Sequence, residues 1–427
     1  MKPIIYPPRE SWERLCCRPA TGKTGLDKTV RSILYNVRKS GDKALTEYSK
    51  KYDNYKSHIF KVSCREITES GNQIADDLKD AINIAAGNIE KFHIAQLYEE
   101  KIIETMPGIK CWRKNVAIEK AGLYIPGGSA PLFSSVLMLG IPAKIAGCRQ
   151  VLLCTPPDSN GNINPAILYA SFITGITDIF RIGGAQAIAA MAYGTETIPK
   201  VDKIFGPGNR YVTRAKELVQ SDCIAIDMPA GPSEVLVIAD ESADPGFVAA
   251  DLLSQAEHGK DSQVLLITDS MNIMEKVISE IEKQLDVLPR KDIAEKALEN
   301  SIFILLDDLD KCMEFSNMYS PEHLIINTSD ASSLAEKVVN AGSVFIGKYS
   351  CESAGDYASG TNHTLPTNRF AKSFSGVSVD SFVKKITFQE ISLKGLESIG
   401  PAIKIMADAE NLSGHKNAVN VRLKNYS

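Results

Sequence analysis

Short apolar runs rich in β-branched residues alternate along the chain with longer stretches whose apolar positions recur every three or four residues. The runs "RQVLLCTP", "DIFRIGG", "VDKIFG", "DCIAIDM", "EVLVIAD", "QVLLITD", "IFILLDD", "HLIINT" and "SVFIG" predict strands, and most precede a helical pattern within a few residues. Near-continuous apolar strands are buried on both faces. The pattern therefore predicts parallel βα units in open doubly wound sheets, with ligands at the carboxyl ends of the strands. Nearer the start, "LDKTVRSILYNVRKSGDKALTEYSKKYDN" and "DDLKDAINIAAGNIEKFHIAQL" are helical in period and heavily charged, and read as solvent-facing helices.

Two clusters dense in Gly and Pro, "GLYIPGGSAPL" and "MPAGPSE", read as domain borders enclosing one compact βα unit. The strand-rich segment from 234 to 347 has no obvious partner except the N-terminal helices, so the flanking sequence is expected to pair into a second domain. After about residue 376 the strand pattern fades into two helices separated by Ser413-Gly414. Such a tail buries little of itself and wants a neighbour, a second subunit being one candidate.

With Lys+Arg 48 against Asp+Glu 52 the net charge is −4, which argues against a nucleic-acid or polybasic membrane binder and leaves small molecules. Charged residues interrupt the first fifteen positions, and no apolar run reaches the roughly 18 to 20 residues a membrane helix needs, so the cytoplasm is expected. Nine cysteines without a C-x-x-C pair fit a reducing compartment and no thiolate metal site. Cys111, Cys148, Cys154 and Cys223 read as buried fillers.

Candidate chemistry begins at "DESADPGFVAADLLSQAEHG". Ser242 or Asp244 caps a helix there, Pro245 enters its first turn and Gly259 terminates it. Asp251, Gln255 and His258 fall on the face beside the apolar stripe, and on spacing alone that is simply the polar face. Glu322-His323, in "MYSPEHLII", sits at a loop-to-strand border and suits a general acid/base couple, although surface Glu-His neighbours are common. "CESAGDYASGTNHTLPT" reads as a long loop of small residues, and Asp356 within it is either a turn cap or a hard oxygen ligand. Gln255, His258, Asp356 and one further histidine would make a nitrogen/oxygen site for zinc or another divalent ion. His58 and His93 read as exposed. Gly183-Gly184 and Gly206-Pro207-Gly208-Asn209 each lead from strand to helix, where backbone N–H groups receive phosphate, but the full G-x-G-x-x-G is missing. Tyr124 adds an aromatic platform.

Taken in order, "LYIPGG", "IGGAQAIAA", "FGPGN", "PAGPSE", "LLSQAEHG", "SPEHL", "ESAGDYASGTNHTLPT" and "GHKNAV" resemble the histidinol dehydrogenase family from about residue 20 to the C-terminus. The resemblance implies a four-electron oxidation of L-histidinol through the aldehyde to L-histidine, with two NAD in turn and one zinc per subunit. It implies zinc ligands Gln255, His258, Asp356 and His415, a choice that spacing alone would not make between Gln255 and Glu257. Glu322 and His323 match the acid/base centre. Ser233, Gln255, His258, His323, Asp356, Glu410 and His415 match positions that contact substrate, and Tyr124, Gln186 and Asn209 match positions that contact NAD. A paralogous dehydrogenase acting on another small alcohol, such as a sulfonated diol, is the alternative.

The fold so implied has two Rossmann-like doubly wound α/β domains with helical N-terminal and C-terminal arms, in an intertwined homodimer that places Glu410 and His415 in the neighbour's site. Residues 1–20 are the N-terminal arm. The first domain combines 21–120 with 234–375, the latter carrying the zinc and catalytic residues. The NAD-binding second domain is 121–233, and 376–427 is a dimerisation tail.

Overall fold

The computed structural model describes residues 3–18, 25–127, 131–222, 224–229 and 231–424. Cys223 lies outside them, as do Gly128 and Ala230 of the two Gly/Pro clusters. The protein is mixed α/β. Along the chain run β1 (Ile4–Ile5), β2 (Ile103–Met106), β3 (Ile109–Ala117), β4 (Lys120–Tyr124), β5 (Gln150–Thr155), β6 (Asp178–Arg181), β7 (Lys203–Phe205) and β8 (Ala225–Ile226). These are followed by β9 (Glu234–Ala239), β10 (Gln263–Thr268), β11 (Ile302–Leu305), β12 (His323–Asn327), β13 (Ser343–Ile346) and β14 (Val383–Ile391).

Two parallel sheets share one winding. The first orders its strands β11-β10-β9-β12-β13, with β1 added beyond β11, and the second orders them β6-β5-β4-β7-β8. Each therefore starts at its centre, winds outward on one side and then switches to the other, which is the doubly wound arrangement. All nine runs singled out above lie in these sheets. Every residue of β9, β10 and β12 is buried, as the unbroken apolar runs require of a sheet covered on both faces.

The N-terminal helices do not share a domain with 234–375 in the expected way. One face of the second sheet is covered by Val30, Ile33, Val37 and Leu45 of the helix Leu26–Tyr52 together with the helices Gly184–Tyr193 and Arg210–Val219. Its other face is covered by Ile67, Ile82, Ala85 and Ile89 with the helices Phe133–Ala146 and Pro165–Thr174. The physical reason is cover: the first sheet already carries helices of its own segment on both faces, completed by Trp12 from the N-terminal arm. These charged helices thus bury one stripe. His93, expected exposed, is fully buried with Nδ1 2.8 Å from the Ile89 carbonyl, and burial lowers its pKa. Cys154 is buried, whereas Cys111 and Cys148 are only half-buried.

A third, antiparallel sheet, β14-β3-β2, went unread in the sequence. β14 pairs with β3 over nine residues, from Val383↔Ala117 to Ile391↔Ile109, yet eight of its nine positions are exposed. The two helices expected of the tail, Leu393–Ala409 and Ser413–Lys424, follow, although Ser413-Gly414 opens the second helix rather than separating the pair; Ile405, Met406, Leu412 and Val421 stand exposed. Among the described residues no helix is long and apolar enough to cross a membrane.

At the carboxyl edge of the first sheet a crevice of about 480 Å³ opens beside β9, β10 and β12, lined by Asp240, Glu241 and Asp269. The larger cavity, about 1360 Å³, lies elsewhere. It runs from the amino edge of the first sheet, at Ser233 and Glu322, to the carboxyl edge of the second, at Gly206 to Asn209.

Candidate active site

The amino edge of β12 carries Glu322 and His323. The helix Leu309–Tyr319 ends at Ser320 in a left-handed conformation (φ 57°), and Pro321 then turns the chain into the strand. Both side chains are held by one neighbouring residue at the start of β9. The Glu234 N–H donates to Glu322 Oε2 at 2.9 Å, and His323 Nδ1 lies 3.1 Å from the Glu234 carbonyl oxygen. The site thus opens at the amino ends of the first sheet's strands rather than at the carboxyl ends that doubly wound sheets normally use.

Two helices pack their side chains against this couple. Pro245–Ala256 is capped by Asp244, whose carboxylate accepts from the Gly246 and Phe247 N–H groups. It brings Gln255 Nε2 to 3.4 Å from both Glu322 Oε2 and His323 Nδ1. Glu352–Tyr357 is a helix where a loop was expected, because small residues there pack close and Gly355 sits against Phe345. It sets Glu352 and Asp356 four residues apart on one face, Glu352 Oε1 being 3.9 Å from His323 Nδ1 and Asp356 Oδ1 3.4 Å from Nε2. Glu352 was not among the expected site residues, although this i, i+4 carboxylate spacing was there to be read.

The electrostatics follow from burial and crowding. Burial opposes charge on His323, but Glu322, Glu352 and Asp356 outweigh it and push the imidazole up to about 10. Burial drives Glu322 up to about 8 against the pull of His323, and drives Glu352 up likewise. Asp356 stays low, since His323 more than offsets its own burial. Four buried atoms, Gln255 Oε1, His323 Nε2, Glu352 Oε1 and Asp356 Oδ1, have no hydrogen-bond partner. Ligand atoms of His323, Glu352 and Asp356 lie within 4.8 Å of one another. A cation would satisfy such unpaired nitrogen and oxygen atoms; of the expected ligands, Gln255 Oε1 and Asp356 Oδ1 are among them, whereas the cluster itself joins Asp356 to His323 and Glu352 and does not include His258 or His415.

The remaining expected residues divide. Ser233 and His258 line the cavity, His258 on the turn beyond its helix, where desolvation lowers its pKa against the pull of Asp356. His363 serves as a tie, with Nε2 2.9 Å from Ser135 Oγ and Nδ1 2.8 Å from the Asp356 carbonyl. Glu410 and His415 lie exposed on the C-terminal helical pair. Of the three expected NAD contacts, Asn209 lines the cavity while its side chain caps the helix Arg210–Val219. Tyr124 and Gln186 are buried at the turn behind it: the Tyr124 hydroxyl accepts from the Gly184 N–H at 3.0 Å, so its ring offers no open platform. Gly206 (φ 117°) passes so close to Tyr124 that a Cβ would stand 2.1 Å from its carbonyl oxygen.

Comparison with known proteins agrees with this architecture. Residues 17–423 match the family model described as histidinol dehydrogenase. The chain is 59% identical over 423 residues to the histidinol dehydrogenase of Bacteroides thetaiotaomicron, covering 99% of each. It is 51% identical over 417 residues to that of Escherichia coli K12, covering 97% of this chain and 95% of the relative. The crystal structure of histidinol dehydrogenase from Elizabethkingia anophelis superposes with a TM-score of 0.98 at 56% identity, over 100% of this chain and 98% of that one. A match of this extent in sequence and in fold leaves one assignment: the chain belongs to the histidinol dehydrogenase family.

Proposed function

We propose that this protein oxidises L-histidinol to L-histidine in two successive two-electron steps, with L-histidinaldehyde retained between them. The observation that carries the reading is the buried Glu322–His323 couple, held together by Glu234, with Glu322 lining the same cavity as the Gly206–Asn209 turn.

In its deprotonated form, which its raised pKa reserves for alkaline pH, His323 takes the hydroxyl proton of histidinol as the carbinol C–H leaves as hydride. The Glu322 carboxylate, formed above its raised pKa, then accepts a proton from water as the water oxygen adds to the aldehyde carbon, and the hydrate loses the second hydride. The three neighbouring carboxylates favour the imidazolium that the first step creates. Asn209, which lines the cavity, would hold NAD directly, with the expected Tyr124 and Gln186 supporting the Gly184 turn from within the fold; NAD would supply the hydride acceptor in both steps. Gln255, His258 and Asp356, with His415 from a second copy of the chain, would hold zinc, which supplies Lewis-acid anchoring of the substrate's nitrogens. Ser233 and Glu410 complete the substrate contacts. The homodimer is supported by the exposed apolar positions on β14 and the two C-terminal helices, and by the exposure of Glu410 and His415 in a single chain.

The deciding measurement is NADH formed per L-histidinol consumed, before and after chelation and with zinc restored. Two NADH per substrate, lost on chelation and recovered with zinc, is the expected result. No NADH from folded, metal-loaded dimer would overturn the reading.

A further inference from the structure

The N-terminal arm reaches the site through Arg18. Arg18 and Glu234 form an ion pair whose side chains are 8% and 1% exposed. The contact is bidentate, Nε to Oε1 at 2.8 Å and Nη2 to Oε2 at 2.7 Å. The remaining guanidinium donors are also used: Nη1 donates to the carbonyls of Cys16 (3.0 Å) and Tyr319 (2.9 Å), and Nη2 donates to that of Ser320 (3.3 Å). The guanidinium carbon lies 3.5 Å from the centroid of the Tyr319 ring.

These contacts fall on two segments at once. Glu234 opens β9, and its backbone holds both Glu322 Oε2 and His323 Nδ1. Tyr319 and Ser320 lead through Pro321 into Glu322 and His323. The arm itself is pinned to the body by Arg9–Glu314, Glu13–Arg369 and buried Trp12. A buried ion pair of this kind is often replaceable by apolar groups without loss of fold stability, so stability alone does not account for a fork that uses every donor.

We propose that Arg18 is a positioning residue, which acts through Glu234 and the Tyr319–Ser320 carbonyls to hold Glu322 and His323 in register with each other. The proposal rests on the reading that those two residues carry the proton transfers. Because the fork sets the relative height of β9 and the approach to β12, its loss lets the couple shift by a fraction of an ångström while zinc and substrate contacts stay.

The test uses the full-length, zinc-loaded protein and the variants Arg18→Gln, Arg18→Lys, Glu234→Gln and the double variant Arg18→Gln/Glu234→Gln. Each is assayed for kcat, KM for histidinol, zinc per subunit and thermal midpoint. Arg18→Gln is expected to lower kcat about ten- to a hundredfold with KM and zinc content unchanged, as misplacement of reacting groups does. Arg18→Lys, which keeps the cation without the fork, recovers part of the loss. The double variant is no slower than the slower single one, because the pair acts as one unit.

A lowered melting temperature with unchanged kcat per folded subunit overturns the proposal in favour of a structural clamp. A raised KM at unchanged kcat overturns it in favour of a substrate contact. Should Arg18→Gln fail to fold, Arg18→Lys and Glu234→Gln carry the same readouts. A crystal structure of the mildest inactive variant needs no substrate: displaced Glu322 and His323 side chains are expected, and unmoved ones overturn the proposal. Wild-type protein that fails to reduce NAD with histidinol overturns the functional reading alone.

Discussion

His323 stands within 4 Å of Glu322, Glu352 and Asp356, so its replacement removes a cationic partner that the three carboxylates share. His323→Asn is expected to abolish turnover while zinc remains, whereas His415→Asn is expected to lose zinc; metal analysis of both purified variants distinguishes them. Asp53 offers a separate reading of burial. Desolvation raises it from 3.8 to about 6 against the Gly183 N–H, so the folded chain keeps this proton to a higher pH than the unfolded chain does. Its favourable contribution is complete below pH 3.8 and is lost as pH rises through about 6. Asp53→Asn should therefore gain on the order of 1 kcal/mol at pH 8 and nothing at pH 4, read from urea midpoints. At this scale the sequence exposed Glu322, His323 and Asp356 through their odd company. It could not rank Gln255 above Glu257, because only the fold turns one toward His323. Nothing local marks Arg18 or Glu234, whose partners lie 216 residues apart.

Elements buried on both faces announced themselves. β9, β10 and β12 are unbroken apolar runs because each must pack helices above and below. β14 did not, since eight exposed positions in "VKKITFQEI" leave no alternation to detect and only pairing with β3 defines the strand. The helix Glu352–Tyr357 was hidden differently: Ser353, Ala354 and Gly355 resemble loop composition, and their smallness is what admits the helix against Phe345. Between elements, Gly206 decides how close the second sheet's turn comes to β4. Gly206→Ala combines a disfavoured φ of 117° with a backbone clash. It should cost about 3 kcal/mol and weaken NAD binding, measured by denaturant titration and by calorimetry.

For the whole molecule, the sequence revealed two α/β units but not which helices cover which sheet, because a charged amphipathic helix says how wide its apolar stripe is and not where it docks. Subunit exchange tests the assembly. If Glu410 and His415 serve a neighbouring subunit, mixing inactive Glu322→Gln with inactive His415→Asn rebuilds one intact site in each hybrid dimer, up to about a quarter of wild-type activity. Refolded mixtures that stay inactive would assign the tail to its own chain.

The two sheets wind alike, yet the carboxyl edge of the first is walled by Asp240, Glu241 and Asp269. A pyrophosphate approaching that edge would meet like charge, while the matching edge of the second sheet presents Gly206 to Asn209 and a helix N-terminus. If NAD docks as proposed, the charge at the two look-alike edges would direct it to the second sheet and give the molecule a front and a back.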